Sequence, residues 1–126
     1  MKFLFRLLPI ALLLPGCKKN ESAANDRDAP AISISTPVSS QSFTVGATVS
    51  IAAAINDAGR IVQVHLHITK EESGQLLVDV HRYPGESSFD LNESFVPPAS
   101  GSYRIRIIAR DNSGNESFET VTIQAS

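Results

Sequence analysis

The chain has 126 residues, 11 Lys and Arg against 13 Asp and Glu, and a net charge of −2. Its apolar content comes from Val, Ile, Ala and Leu rather than from aromatics, which make up only 6% with no Trp. That length suits one domain, the β-branched bias favours strands over helices, and the missing basic excess removes charge-driven binding to nucleic acid or to anionic lipid.

The N-terminus is a targeting segment. Lys2 and Arg6 precede a short apolar run, residues 7–14, interrupted by Pro9. The run is far below the ~18 residues that span a bilayer, so residues 1–16 are predicted to be a removable signal peptide. The run closes with Leu14, Pro15, Gly16 and Cys17, the arrangement of a lipobox. There the cysteine sulfur takes a diacylglyceryl group, and cleavage before it frees an amine that can be acylated in turn. At about 0.8 kcal/mol per buried CH₂, two or three chains hold a protein at a membrane permanently. The alternative is an ordinary secretory signal with an incidental cysteine. Cys17 is the only cysteine, so no internal disulfide can form. Removing residues 1–16 takes away Lys2 and Arg6 and leaves 9 basic against 13 acidic side chains, a net −4.

Residues 18–30 (KKNESAANDRDAP) are polar and without apolar periodicity, which reads as a flexible tether. Fully extended it reaches roughly 40 Å. Lys18, rather than an Asp, follows Cys17, which favours the outer membrane over inner-membrane retention.

From Ala31 the texture changes to short β-branched runs with turn signals about every 8–12 residues. A first strand is expected at residues 32–35, ended by Pro37. Residues 43–45 lead to a kink at Gly46. Residues 47–55 alternate, with Val49, Ile51, Ala53 and Ile55 on the core face. A turn is expected at Asn56, Asp57, Ala58 and Gly59. The next strand, residues 60–69, is expected to turn Val62, Val64, Leu66 and Ile68 inward and Gln63, His65, His67 and Thr69 outward. Strands follow at residues 76–83 (Val78 and Val80 inward) and 89–95 (Phe89, Leu91 and Phe95 inward). Residues 103–109 present Tyr103, Ile105, Ile107 and Ala109 to the core and Arg104, Arg106 and Ile108 to the other face, where Arg110 follows. Residues 118–124 close the sheet with Val121 and Ile123. No helix is expected after the signal. About seven antiparallel strands over residues 31–126 make the inventory of an all-β, immunoglobulin-like sandwich.

Gly101, Ser102 and Tyr103, followed by Ile105, Ile107, Ala109, Asp111, Gly114 and Asn115, resemble the last hairpin of bacterial Ig-like domains. The opening, with Pro30, Ile32, Ile34, Pro37, Phe43, Gly46 and Asp57, fits the same pattern. The core cysteines and core Trp of antibody domains are missing. With the lipobox, His65 and His67, the chain is similar to Ig-like lipoproteins of Bacteroidetes, and Lys18, Lys19 and Glu21 resemble their charged surface-export signals. The resemblance implies a structural tyrosine corner at Tyr103. It implies no activity, because this fold hosts many unrelated functions.

Three groups of side chains invite a chemical reading. His65 and His67 share a face, and His81 lies on the next strand in phase with Asp79. Two or three of these imidazoles and a carboxylate could make a zinc or copper site, against the alternative of an exposed polar face. Asp28, Asp57, Asp111 and Asn112 fall in loops that gather at one end of such a sandwich. They could offer oxygens to calcium, although Asp and Asn are also the ordinary turn residues. Arg104, Arg106 and Arg110 form a stripe that suits an acidic glycan or protein, or else pairs with Glu116 and Glu119 on the neighbouring strand. No Gly-x-Ser-x-Gly elbow and no Gly-rich phosphate loop occurs. The sequence therefore predicts a non-enzymatic, cofactor-free binding or scaffold domain, anchored in the bacterial cell envelope by lipid on Cys17. Its partner is a protein or glycan and not nucleic acid. The alternative is an envelope metal-binding protein that uses His65, His67 and His81.

Overall fold

The computed structural model describes residues 26–126; the signal segment, Cys17 and the tether up to residue 25 lie outside the described residues. All regular structure among the described residues is β. The strands are β1 (Ala31–Thr36), β2 (Ser42–Phe43), β3 (Val49–Lys70), β4 (Leu76–Arg82), β5 (Glu86–Phe95), β6 (Gly101–Asp111) and β7 (Glu116–Ala125).

The long strand β3 organises the sandwich. Its first half pairs antiparallel with β1 and β5, and its second half with β4 and β6. Beyond β6 the order continues through β7 to β2. Val49 lies opposite Phe95 and Lys70 opposite Tyr103. Only residues 96–100 separate β5 from β6, far too short a link for the ends of a straight 22-residue strand. The chain must therefore fold back within β3, and it does so at residues 57–60. Here the sequence predicts a turn between two strands. The backbone reverses, but the strand pairing resumes at once, so the two expected strands form one β3. Between Asn56 and Ile61 the β5 partner advances only from Ser88 to Glu86, which marks the corner as a bulge.

The core lies between the two layers. Val49, Ile51, Ala53 and Ile55 face Val64, Leu66, Ile68, Ile105, Ile107 and Ile123 in one buried cluster, with Leu91, Phe95 and Tyr103. This is the alternation the sequence sets out, with one correction. Ile61 is fully buried and Val62 is only half-buried. The pairing with β6 slips between Ile61 and Gln63, and that slip moves the inward position back one residue ahead of Val64. A second departure is β2, which pairs parallel with β7 where antiparallel strands are expected. It carries the chain from the β1 layer to the other, with Ser40 and Ser126 making backbone bonds to Thr122 and Phe43.

Candidate functional site

The pairing places β3 and β4 so that His65 lies opposite His81 and His67 opposite Asp79. Their neighbours Leu66, Ile68, Val78 and Val80 point to the core, fully or partly buried. Apolar burial thus fixes the register, and the register brings the four polar side chains to one outer face. Asp79 Oδ1 lies 3.2 Å from His67 Nε2 and 2.8 Å from His81 Nε2. The His65 ring lies tilted against that of His81, with 4.0 Å between centroids, and 5.8 Å from that of His67. His65 Nε2 is shielded from solvent and has no hydrogen-bond partner. Burial, and then the two neighbouring imidazoles, lower the His65 pKa and keep the ring neutral at pH 7. Strand alternation groups Asp79 with His81 in the sequence and offers its carboxylate beside the imidazoles, but leaves the register between the two strands open. The β3–β4 register is what makes it central.

Next along the layer, the arginine stripe is split among three partners. Arg110 pairs with Glu116 at 2.8 Å, as the pairing alternative expects. Arg104 instead reaches Glu71 at 3.2 Å, on the loop after β3. Arg106 sits 3.9 Å over the ring of Phe118, a cation–π contact on β7, and Glu119 pairs with none of the three.

A second constellation lies at the end where the chain enters. Donor oxygens of Asp26, Asp57 and Asp111 fall within 4.8 Å of one another, the one such group among the described residues. Asn112 Oδ1 adjoins them and accepts from the Arg60 backbone N–H. Gly59 lets these side chains close over the corner: a Cβ there would meet Asn112 Oδ1 at 2.8 Å and Asp57 Oδ2 at 3.2 Å, so both side-chain ends would have to shift. Of the residues the sequence nominates, Asp57, Asp111 and Asn112 come together. Asp28 does not join the donor group; Asp26, two residues earlier, takes that place, and the Asp28 backbone N–H donates to Asp26 Oδ1. The alternating Asp26–Arg27–Asp28 pattern is the one sequence signal for it. Asp111 is 1% exposed and is held by the backbone N–H groups of Ser113 and Asn115 and by Asn115 Nδ2. Burial alone would raise its pKa, but these donors outweigh it and lower it. Asp57 is raised, first by burial and then by the charges of Asp111, Asp26 and Asp28, against the Gly59 N–H bond.

Tyr103 is fully buried at the opposite end, and its hydroxyl donates to the Ala99 carbonyl at 2.6 Å. Cys17 lies outside the described residues. No serine or threonine hydroxyl among the described residues is hydrogen-bonded to an imidazole.

Residues 16–126 match the family model described as Domain of unknown function (DUF4625). A search of curated proteins finds no match to the chain. Among solved structures, the chain is similar to the fibronectin(III)-like modules of Clostridium thermocellum CbhA. The identity is 14% and the TM-score 0.52, over 75% of this chain and 94% of that one. It is also similar to the superoxide reductase (neelaredoxin) from Ignicoccus hospitalis, at 16% identity and a TM-score of 0.55, over 79% and 81% of the two chains. At these identities the likeness is one of fold.

Proposed function

The chain belongs to the DUF4625 family, a domain of unknown function, and we propose that it is a lipid-anchored, non-enzymatic binding module of the bacterial cell envelope. Lipid on Cys17 holds it, at the outer membrane, and its folded domain is offered to a protein or glycan partner. The observation that carries this reading is where the chain enters the fold. Asn115 Nδ2 donates to the carbonyls of Asp26 and Asp28, and Ser117 Oγ to that of Pro30. The entering segment is thus pinned beside the β6–β7 turn. Eight residues, 18–25, separate it from Cys17, a reach of about 30 Å at most. A lipid on Cys17 would therefore keep that end of the sandwich towards the membrane. The opposite end, with residues 70–76 and 96–100, and the outer sheet faces would be turned to a partner. The family match beginning at Gly16, next to Cys17, is in keeping with a mature chain that starts there.

The test is metabolic labelling of cells making the full chain with an alkyne fatty acid. Wild type is expected to take up label and sediment with membranes. Cys17→Ser is expected to stay unlabelled and unprocessed, because no sulfur is present to receive lipid. A wild-type chain without label, or a Cys17→Ser chain that keeps it, would refute the anchor.

A further inference from the structure

We propose that His67, His81 and Asp79, with His65 beside them, bind one divalent transition-metal ion of the zinc class on the outer face of the layer β4–β3–β6–β7. The inference does not depend on the lipid anchor. It starts from the strand ladder. Residues directly opposite on antiparallel strands have Cβ atoms about 4.5–5.5 Å apart, and residues two apart on one strand are roughly 7 Å apart. His65 and His67 on β3, with His81 and Asp79 opposite, therefore occupy the four corners of one small rectangle. Four side chains of metal-ligating type fill it, and the core side chains between them hold the backbone still.

The donor distances suit a small ion. Bonds of about 2.0–2.1 Å in tetrahedral geometry separate neighbouring ligand atoms by about 3.3 Å. The His67 Nε2 to Asp79 Oδ1 distance is 3.2 Å and the His81 Nε2 to Asp79 Oδ1 distance is 2.8 Å. The two nitrogens flank the shared oxygen, and the three donor atoms are not all within 4.8 Å of one another. Joining them on one ion takes a rotation of one side chain. The side chains have room for it: His67 is 32% exposed, His81 39% and Asp79 45%. His65 adds an imidazole nitrogen that is shielded from solvent and that no protein group satisfies.

The surrounding charges are directed elsewhere. Arg106 is the β6 residue opposite His67, yet its guanidinium is held over Phe118 on β7. Arg110, nearest along the face, is paired with Glu116. Asp79 is thus the one charge the imidazoles contact directly. Imidazoles with a single carboxylate select zinc, copper or nickel, whereas calcium and magnesium require mainly oxygen.

The experiment uses the full chain, purified in detergent without an affinity tag. Equilibrium dialysis against zinc chloride and thermal melting are run at about pH 7.5 and about pH 5, on either side of the ordinary imidazole pKa of about 6.5. One zinc per chain is expected at the higher pH, with a raised melting midpoint. Both are expected to vanish at the lower pH, where protonated imidazoles cannot ligate. His67→Gln and His81→Gln are each expected to weaken zinc binding about tenfold or more while leaving the metal-free midpoint in place. Asp57→Asn, at the acidic end, is expected to leave zinc binding unchanged. Absence of zinc binding at the higher pH would overturn the site. So would binding that survives both histidine variants, or binding lost with Asp57→Asn.

Discussion

Tyr103 combines two roles in one side chain. Its ring meets Phe95 edge-on at 5.3 Å between centroids, bridging the two layers, while its hydroxyl satisfies the Ala99 carbonyl at the corner before β6. Tyr103→Phe keeps the ring and leaves that carbonyl without its donor. The expected loss is about 1–2 kcal/mol, read as a lower urea midpoint. Tyr103→Ala also leaves a cavity, and the expected loss rises to about 3–5 kcal/mol, a large fraction of what holds so small a domain. A Tyr103→Phe midpoint equal to wild type would show that the hydroxyl bond adds nothing net to the fold. The nearby Gly101 has φ +141, a backbone that favours glycine, which lets the chain turn sharply into β6 ahead of Tyr103.

Strand β3 has a matched pair of positions for a test of its register. Alternation read from Val64, Leu66 and Ile68 puts Val62 inside. The slip against β6 puts Ile61 there instead. Ile61→Ala is therefore expected to cost about 2–5 kcal/mol in a urea unfolding series, the range for a buried aliphatic side chain. Val62→Ala, at a half-buried position, is expected to cost less than about 1 kcal/mol. The reverse order would mean that the strand carries no slip and that period two runs unbroken from Val62. Such a shift would leave the imidazoles of His65 and His67 where they are, because the slip lies upstream of both.

The acidic end joins three segments far apart in the chain: the entry at Asp26, the β3 corner at Asp57 and the β6 terminus at Asp111. The two shifted carboxylates there act with opposite signs. Asp111 has a lowered pKa, so its ionised form favours folding. That contribution is present above the unfolded value of about 3.9 and is lost as pH falls through the folded one. Asp111→Asn is expected to lower the urea midpoint at neutral pH, with the deficit shrinking in acid. Asp57 has a raised pKa, so its ionised form opposes folding at neutral pH and protonation favours it. Asp57→Asn is expected to raise the midpoint at neutral pH, with the gain fading as pH falls below the raised value and wild-type Asp57 takes up its proton. Urea midpoints measured from about pH 3 to about pH 8 check both signs. A destabilising Asp57→Asn would mean that its bond from the Gly59 N–H outweighs the repulsion.

The strands and their buried faces are legible in the amino-acid sequence alone. One-sided burial imprints period two on each strand, so Val49 to Ile55 and Tyr103 to Ala109 declare their inner face in the residues themselves. The common face of His65 and His67 follows from the same parity. Turn chemistry likewise marks the reversals at Asp57 and Gly114, although the first is a corner within one strand. Relations between strands are not legible in this way: the slip at Ile61, the parallel β2–β7 pair, and the entry of Asp26 rather than Asp28 into the acidic group. The histidine site belongs to this second kind. His81 and Asp79 face His65 and His67 only because the β3–β4 ladder aligns them, with an irregularity between Ile68 and Thr69. A shift of one residue would carry His81 and Asp79 to the inner face. Local sequence encodes the parity of a strand, whereas register is fixed by the packing of two layers whose contacts join residues distant along the chain.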